Sequence, residues 1–283
     1  MKLSADDIYN IKSRLFGYSP NLKQSWVLYV VVMMSYYVVL VVTVQAMFIF
    51  IDVVEPEWRV LINDLLSFAV VVAAVVILNK NNSYASVTPP RQSPLLWLLL
   101  VPFILSVGFA TELLRIPEYN VLARMLDLIH ENNLPMFLSS VIVMPVFYEW
   151  MCRGIILKGL LMRYSPLKAI VWSSIIFGMM HVNPRAAVSS FCIGIAIGWI
   201  YWRTRSLWLC IFMHAVSNAV SFMLVLLFYP KVLKYFNIRV DVTYYRTIAD
   251  ITGNPYIYLA VLLVCVLTWI FIKRIIVSYD EAG

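Results

Sequence analysis

The chain has 283 residues, of which 62% are hydrophobic and 13% charged, and its mean hydropathy is +0.84. Soluble domains average about 45–50% apolar and ~25% charged residues, so this composition excludes a water-soluble fold and makes lipid the solvent for most of the chain. The net charge of +7 does not point to nucleic acid, because the basic residues are scattered between apolar runs with no basic arm or cluster.

Residues 1–25 are polar and mixed in charge, as expected of a cytoplasmic N-terminal segment and unlike a cleaved secretory signal. A helix needs about 20 apolar residues to cross ~30 Å of hydrocarbon. Eight stretches meet or approach that length, at about 26–51, 60–78, 94–112, 136–160, 167–182, 187–202, 207–228 and 256–277. They predict an all-α, polytopic membrane protein of about eight transmembrane helices, forming a single transmembrane domain over 26–278. The first and last runs are uniformly apolar, as lipid-facing helices are. The fifth and sixth are shorter and hold Gly, Ser, Asn and His, which favour close helix packing. Cys152, Cys192, Cys210 and Cys265 lie in apolar segments without C-x-x-C spacing and read as buried free thiols. Lys and Arg are in excess on the side that carries both termini, which predicts cytoplasmic termini.

Most charged side chains fall between the spans. The exceptions matter, because an ionisable group at the bilayer centre costs at least about 2.5–3.5 kcal/mol. In the fourth span, "PVFYEWMCRG" holds Glu149 and Arg153 on one helix face, with the carboxylate N-terminal to the guanidinium, the favourable order. The pair reads either as a structural tie between helices or as part of a functional site. Trp150 and Met151 between them read as lipid-facing filler. In the fifth span, "FGMMH" places Phe177 and His181 on one face, where a lone histidine ordinarily serves as an interhelical hydrogen-bonding residue. In the seventh, "HAVSN" does the same for His214 and Asn218, a pairing that also occurs as simple helix-to-helix glue. His130, in "LIHENN", reads as a solvated loop residue.

Together these spans supply a carboxylate, two imidazoles, a carboxamide and a guanidinium. That set contains a base, a proton shuttle and oxyanion donors, the parts of a metal-free hydrolytic site. Two histidines and a glutamate are also a zinc-ligand set. No H-E-x-x-H is present, so zinc requires assembly from three separate helices and is the less favoured alternative. A transporter using Glu149 as its proton site is a further alternative, with no inverted repeat to support it.

The order of the motifs, a Glu/Arg helix, then F-x-x-x-H, then "GIAIGWIYWRTRSLW" leading into H-x-x-x-N, resembles the CPBP family. These are CAAX prenyl protease-like and bacteriocin-processing membrane proteins, also called the Abi family. The resemblance covers about 145–220, within a CPBP-like core of about 136–228. It implies an intramembrane glutamate-type endopeptidase in a bacterial inner membrane, without a cofactor, acting on a membrane-associated peptide or protein. The family's first motif reads E-E-x-x-x-R-G, with a proline three residues before the first glutamate. Pro145, Glu149, Arg153 and Gly154 fit that frame, and Tyr148 stands where the first glutamate belongs. The implied roles are water activation by that first carboxylate with His181, oxyanion binding by His214 and Asn218, and pairing of Arg153 with Glu149.

Tyrosine, with an ordinary pKa of about 10, is no substitute for a carboxylate base at neutral pH. Glu149 itself points about 100° away around the helix. Two outcomes follow. Either Glu149 becomes the base through a modest rotation of the span, with Tyr148 donating a hydrogen bond, or the chain is a catalytically inactive homologue that binds a peptide or a partner membrane protein. The depths of Glu149, His181 and His214 agree only if the fifth helix begins outside the bilayer or tilts, with "RYSP" at 163–166 as its cytoplasmic extension.

Overall fold

The computed structural model describes residues 19–49, 56–78, 92–112, 133–181, 183–228 and 254–282. They form eight helices and, among the described residues, no strand. The helices are α1 (Leu22–Ile49), α2 (Pro56–Leu78), α3 (Pro94–Glu112), α4 (133–161), α5 (Pro166–Met179), α6 (Pro184–Thr204), α7 (Leu207–Phe228) and α8 (Pro255–Ala282). All but α5 are long and apolar enough to cross a membrane. His130, residues 1–18 and much of the loop charge that sets the expected orientation lie outside the described residues.

Helix starts follow local chemistry. Five of the helices open on proline, whose missing N–H costs nothing in a first turn. Asn183 caps α6 by accepting from the Arg185 N–H at 2.9 Å, and Asn254 caps α8 through the Tyr256 N–H at 3.0 Å. Asn21 and Gln24 form a reciprocal box at the start of α1, each backbone N–H donating to the other's side-chain oxygen at 2.9 Å. That box starts α1 at Leu22, ahead of the apolar run expected from residue 26, because a cap needs polar residues that hydropathy does not count.

The fourth span is the centre of the bundle. Two-thirds of α4 (67%) is buried, against 17% for α1 and for α8, so α1 and α8 face lipid while α4 faces protein. Trp150 and Met151 are 6% and 0% exposed. This corrects their reading as lipid-facing filler: Trp150 and Phe147 pack on Phe68 of α2, with ring centroids 5.7 and 4.8 Å apart. Two π-helical stretches, Leu138–Val143 and Trp150–Leu157, flank the α-helical turn Met144–Glu149. Their wider turns change the direction in which successive side chains leave the axis, and such segments recur at functional sites.

α5 has 14 residues, about 21 Å at 1.5 Å per residue, and ends two residues before His181. It runs antiparallel to α6 at close range. A Cβ on Gly178 would lie 2.7 Å from the Ala187 carbonyl oxygen, and one on Gly194 would lie 3.1 Å from Ser174. The first neighbour is backbone, so it has no rotamer by which to withdraw. Gly178→Ala is therefore expected to lower stability by about 1–3 kcal/mol. Gly108→Ala, with nothing within 4 Å, is expected to raise it by roughly 0.5–1 kcal/mol. Thermal unfolding of the two variants in detergent micelles checks the contrast, and equal midpoints would count against close α5–α6 packing. All four cysteines are free: Cys152 and Cys210 are buried, Cys192 and Cys265 partly so.

Candidate functional site

Glu149 and Arg153 are both fully buried. Arg153 Nη1 donates to Glu149 Oε1 at 2.9 Å, and Nη2 donates to the Gly194 carbonyl of α6 at 2.9 Å. The guanidinium lies 4.4 Å from the centre of the Phe177 ring on α5. His214 of α7 brings Nδ1 to within 2.9 Å of the same Glu149 oxygen. One carboxylate oxygen thus joins α4 to α7, and one arginine joins α4 to α5 and α6. Glu149 Oε2 and Arg153 Nε have no hydrogen-bond partner among the described residues. A carboxylate only accepts, so with Glu149 ionised and His214 neutral, Nδ1 carries the proton and Nε2 is left with its lone pair.

His181 sits just past the end of α5. Its Nδ1 lies 3.1 Å from the Phe177 carbonyl, which can only accept, and Ser190 Oγ lies 3.2 Å from Nε2. In the neutral ring, Nδ1–H therefore donates to Phe177 and the serine hydroxyl donates to Nε2. Among the described residues, no hydrogen bond joins His181 to Glu149. Two rings each contact both His181 and His214. Phe177 is 5.5 Å from His181 and 5.2 Å from His214, and Tyr148 is 5.7 Å and 6.2 Å from the same two. Tyr148 thus makes ring contacts with both imidazoles.

Asn218 is brought to α4 but to a different partner. Its Nδ2 donates to the Ser140 carbonyl at 2.7 Å. The reason is local. The Met144 N–H bonds to Ser139 in π register, and Pro145 has no N–H, so the Ser140 carbonyl lacks its usual helical donors. One of the two N–H groups of that carboxamide thus completes the α4 backbone.

A second polar centre lies beside the first, and the sequence reading missed it. Asp64 of α2 is 3% exposed. Ser139 Oγ donates to its Oδ2, and the Tyr36 hydroxyl of α1 bonds it as well. The residue stands inside the apolar run at 60–78, and the signal was present: a carboxylate in a span is a functional candidate by default. A cavity of about 130 Å³ is lined by Tyr36, Asp64, Ser67, Tyr148 and Met180, among others. Tyr148 is therefore a wall shared by the two centres. Among the described residues, no group of three or more His, Cys, Asp or Glu is arranged to hold a metal ion.

Residues 130–220 match a family model described as type II CAAX prenyl endopeptidase Rce1-like. A relative from Bacillus subtilis (strain 168), named putative membrane peptidase YdiL, is 32% identical over 93 residues, which are 33% of this chain and 38% of that protein. The alignment thus spans well under half of the relative's length. No solved structure matches significantly. The family match contains every residue of the Glu149, His181 and His214 cluster. Asp64 lies outside it.

Proposed function

Residues 130–220 belong to the CPBP family of CAAX prenyl protease-like membrane proteins, and from that membership we propose that the chain is an intramembrane endopeptidase. Its substrate is a membrane-associated peptide or protein, and its water is activated by histidine and carboxylate without a metal or other cofactor. It resides in a bacterial cell membrane with both termini cytoplasmic, in keeping with the bias of Lys and Arg along the sequence.

The observation that carries the proposal is the 2.9 Å contact between Glu149 Oε1 and His214 Nδ1, made between two helices in a water-poor setting. A buried carboxylate that accepts from Nδ1–H fixes the ring's tautomer and favours the imidazolium that forms when Nε2 takes a proton. In this reading His214 Nε2 removes a proton from water as the oxygen attacks the peptide carbonyl. It returns that proton to the leaving amine. Arg153 holds Glu149 in place through its 2.9 Å hydrogen bond. His181, across the Tyr148 ring, is the second imidazole available to the substrate. Tyr148 takes no proton here; it separates the two imidazoles.

A second reading is a catalytically inactive homologue that binds a peptide or partner membrane protein. What favours it is Tyr148 in the place of the family's first glutamate. The experiment reconstitutes the chain with a membrane-anchored peptide library and compares wild type with His181→Ala, His214→Ala and Tyr148→Glu. Wild-type cleavage that falls by about 10²–10⁴-fold in His214→Ala is the expected result, with a smaller loss in His181→Ala. Cleavage confined to Tyr148→Glu establishes the inactive reading. Retained peptide binding with no cleavage in any variant establishes the partner-binding form of it.

A further inference from the structure

Asp64 is a carboxylate inside a membrane span with hydroxyl donors but, among the described residues, no cation partner. Glu149 pairs with Arg153 and with His214, and neither pair involves Asp64. Beside it, Ser67 is 2% exposed and its Oγ, on the wall of the cavity, has no hydrogen-bond partner. A buried hydroxyl left unpaired costs about 1–3 kcal/mol. An ionised carboxylate in an apolar setting is held there by a partner charge. Ser67 thus lacks a polar partner and an ionised Asp64 lacks a positive one, and a single positively charged donor in the cavity supplies both.

The shape of the cavity narrows its chemistry. Its volume of about 130 Å³ far exceeds the ~10–15 Å³ that one water needs. Calcium takes 6–8 oxygen ligands and magnesium near-ideal octahedral geometry, whereas this cavity offers one carboxylate and a few hydroxyls. Its remaining wall is apolar, with Met33, Met144 and Met180 among the lining side chains. Such a wall suits methylene groups, and methionine adapts to their shape. An ammonium has three donors, matching the acceptors on Asp64, Ser67 and Tyr36.

We propose that the cavity between Asp64, Ser67, Tyr36 and Tyr148 binds a primary ammonium on a short alkyl chain. The same chemistry comes from a lysine side chain or from a free polyamine. Since Tyr148 borders both this cavity and the two imidazoles, the lysine of a peptide substrate is the source that the geometry favours. That last step rests on the peptidase reading; ammonium binding itself does not.

The test uses the full chain in detergent micelles. n-Butylammonium chloride is titrated calorimetrically, with n-butanol and sodium chloride as controls. Wild type is expected to bind n-butylammonium saturably and neither control. Asp64→Asn is expected to weaken binding at least ten-fold, and Ser67→Leu, which fills the cavity and keeps the carboxylate, to weaken it similarly. Absence of saturable binding in wild type overturns the proposal, as does equal affinity in a folded Ser67→Leu, whether or not Asp64→Asn folds. Equal response to sodium overturns it in favour of an inorganic cation. In the second arm, peptides carrying lysine or norleucine near the scissile bond are compared, with spermidine as competitor. A ten-fold or greater advantage for lysine supports substrate selection. Equal cleavage with competitive spermidine binding overturns selection and leaves a free amine as the ligand. Binding of n-butylammonium with no peptide cleaved overturns the peptidase reading alone.

Discussion

Glu149→Gln is expected to abolish cleavage and to lower the stability of the fold by about 3–5 kcal/mol, the cost of breaking a buried ion pair from one side. The amide keeps the size of the side chain and can still accept a hydrogen bond. It cannot offset the charge of Arg153, which is fully buried and whose remaining polar and ring partners among the described residues are the Gly194 carbonyl and the face of Phe177. His214 simultaneously loses its carboxylate partner at 2.9 Å, so turnover falls for a separate reason. The double variant Glu149→Met with Arg153→Leu separates the two effects. Replacing both members of a buried pair by apolar residues is often neutral or stabilising. It should therefore recover the unfolding midpoint without recovering cleavage. A Glu149→Gln protein that melts and cleaves like wild type would remove the basis for placing this pair at the centre of the site.

The second large effect is expected at Phe177, which is 1% exposed. Its ring meets Arg153 at 4.4 Å, His214 at 5.2 Å, His181 at 5.5 Å and Tyr148 at 6.1 Å. Phe177→Ala should cost about 3–5 kcal/mol through the cavity it leaves. Loss of the contact between the ring face and a desolvated guanidinium adds roughly 2 kcal/mol. Phe177→Leu keeps much of the volume and should cost under about 1.5 kcal/mol, yet still lower turnover because both imidazoles lose a planar neighbour. Unfolding midpoints and cleavage rates of the two variants distinguish packing from positioning. An alanine variant with an unchanged midpoint would show that the ring is not the common support of these four side chains.

The spacing of Glu149 and Arg153 made their pairing legible, because positions four apart on a helix face each other whatever surrounds them. The contact of Glu149 with His214 was not. It depends on how α7 rotates against α4, and the π segments on either side of Met144–Glu149 set the direction in which Glu149 leaves its helix. Pro145 was visible as a motif residue. Its consequence, an unsatisfied Ser140 carbonyl that commits the Asn218 amide, appears only when both helices are in place. The aromatic packing of Tyr148 on both histidines was hidden for the same reason. Asp64 was passed over, although a carboxylate within an apolar run is itself a signal; its partners Ser139 and Tyr36 come from two other helices.

Hydrophobicity and period alone determined that this chain is a helical membrane protein and roughly where its helices run, because lipid leaves backbone groups no partner but the helix itself. Which helix is central, which carboxylate meets which imidazole, and where a second polar cavity opens were decided by tertiary packing. Those outcomes rest on helix rotation and close approach at glycine, quantities to which local propensity is blind.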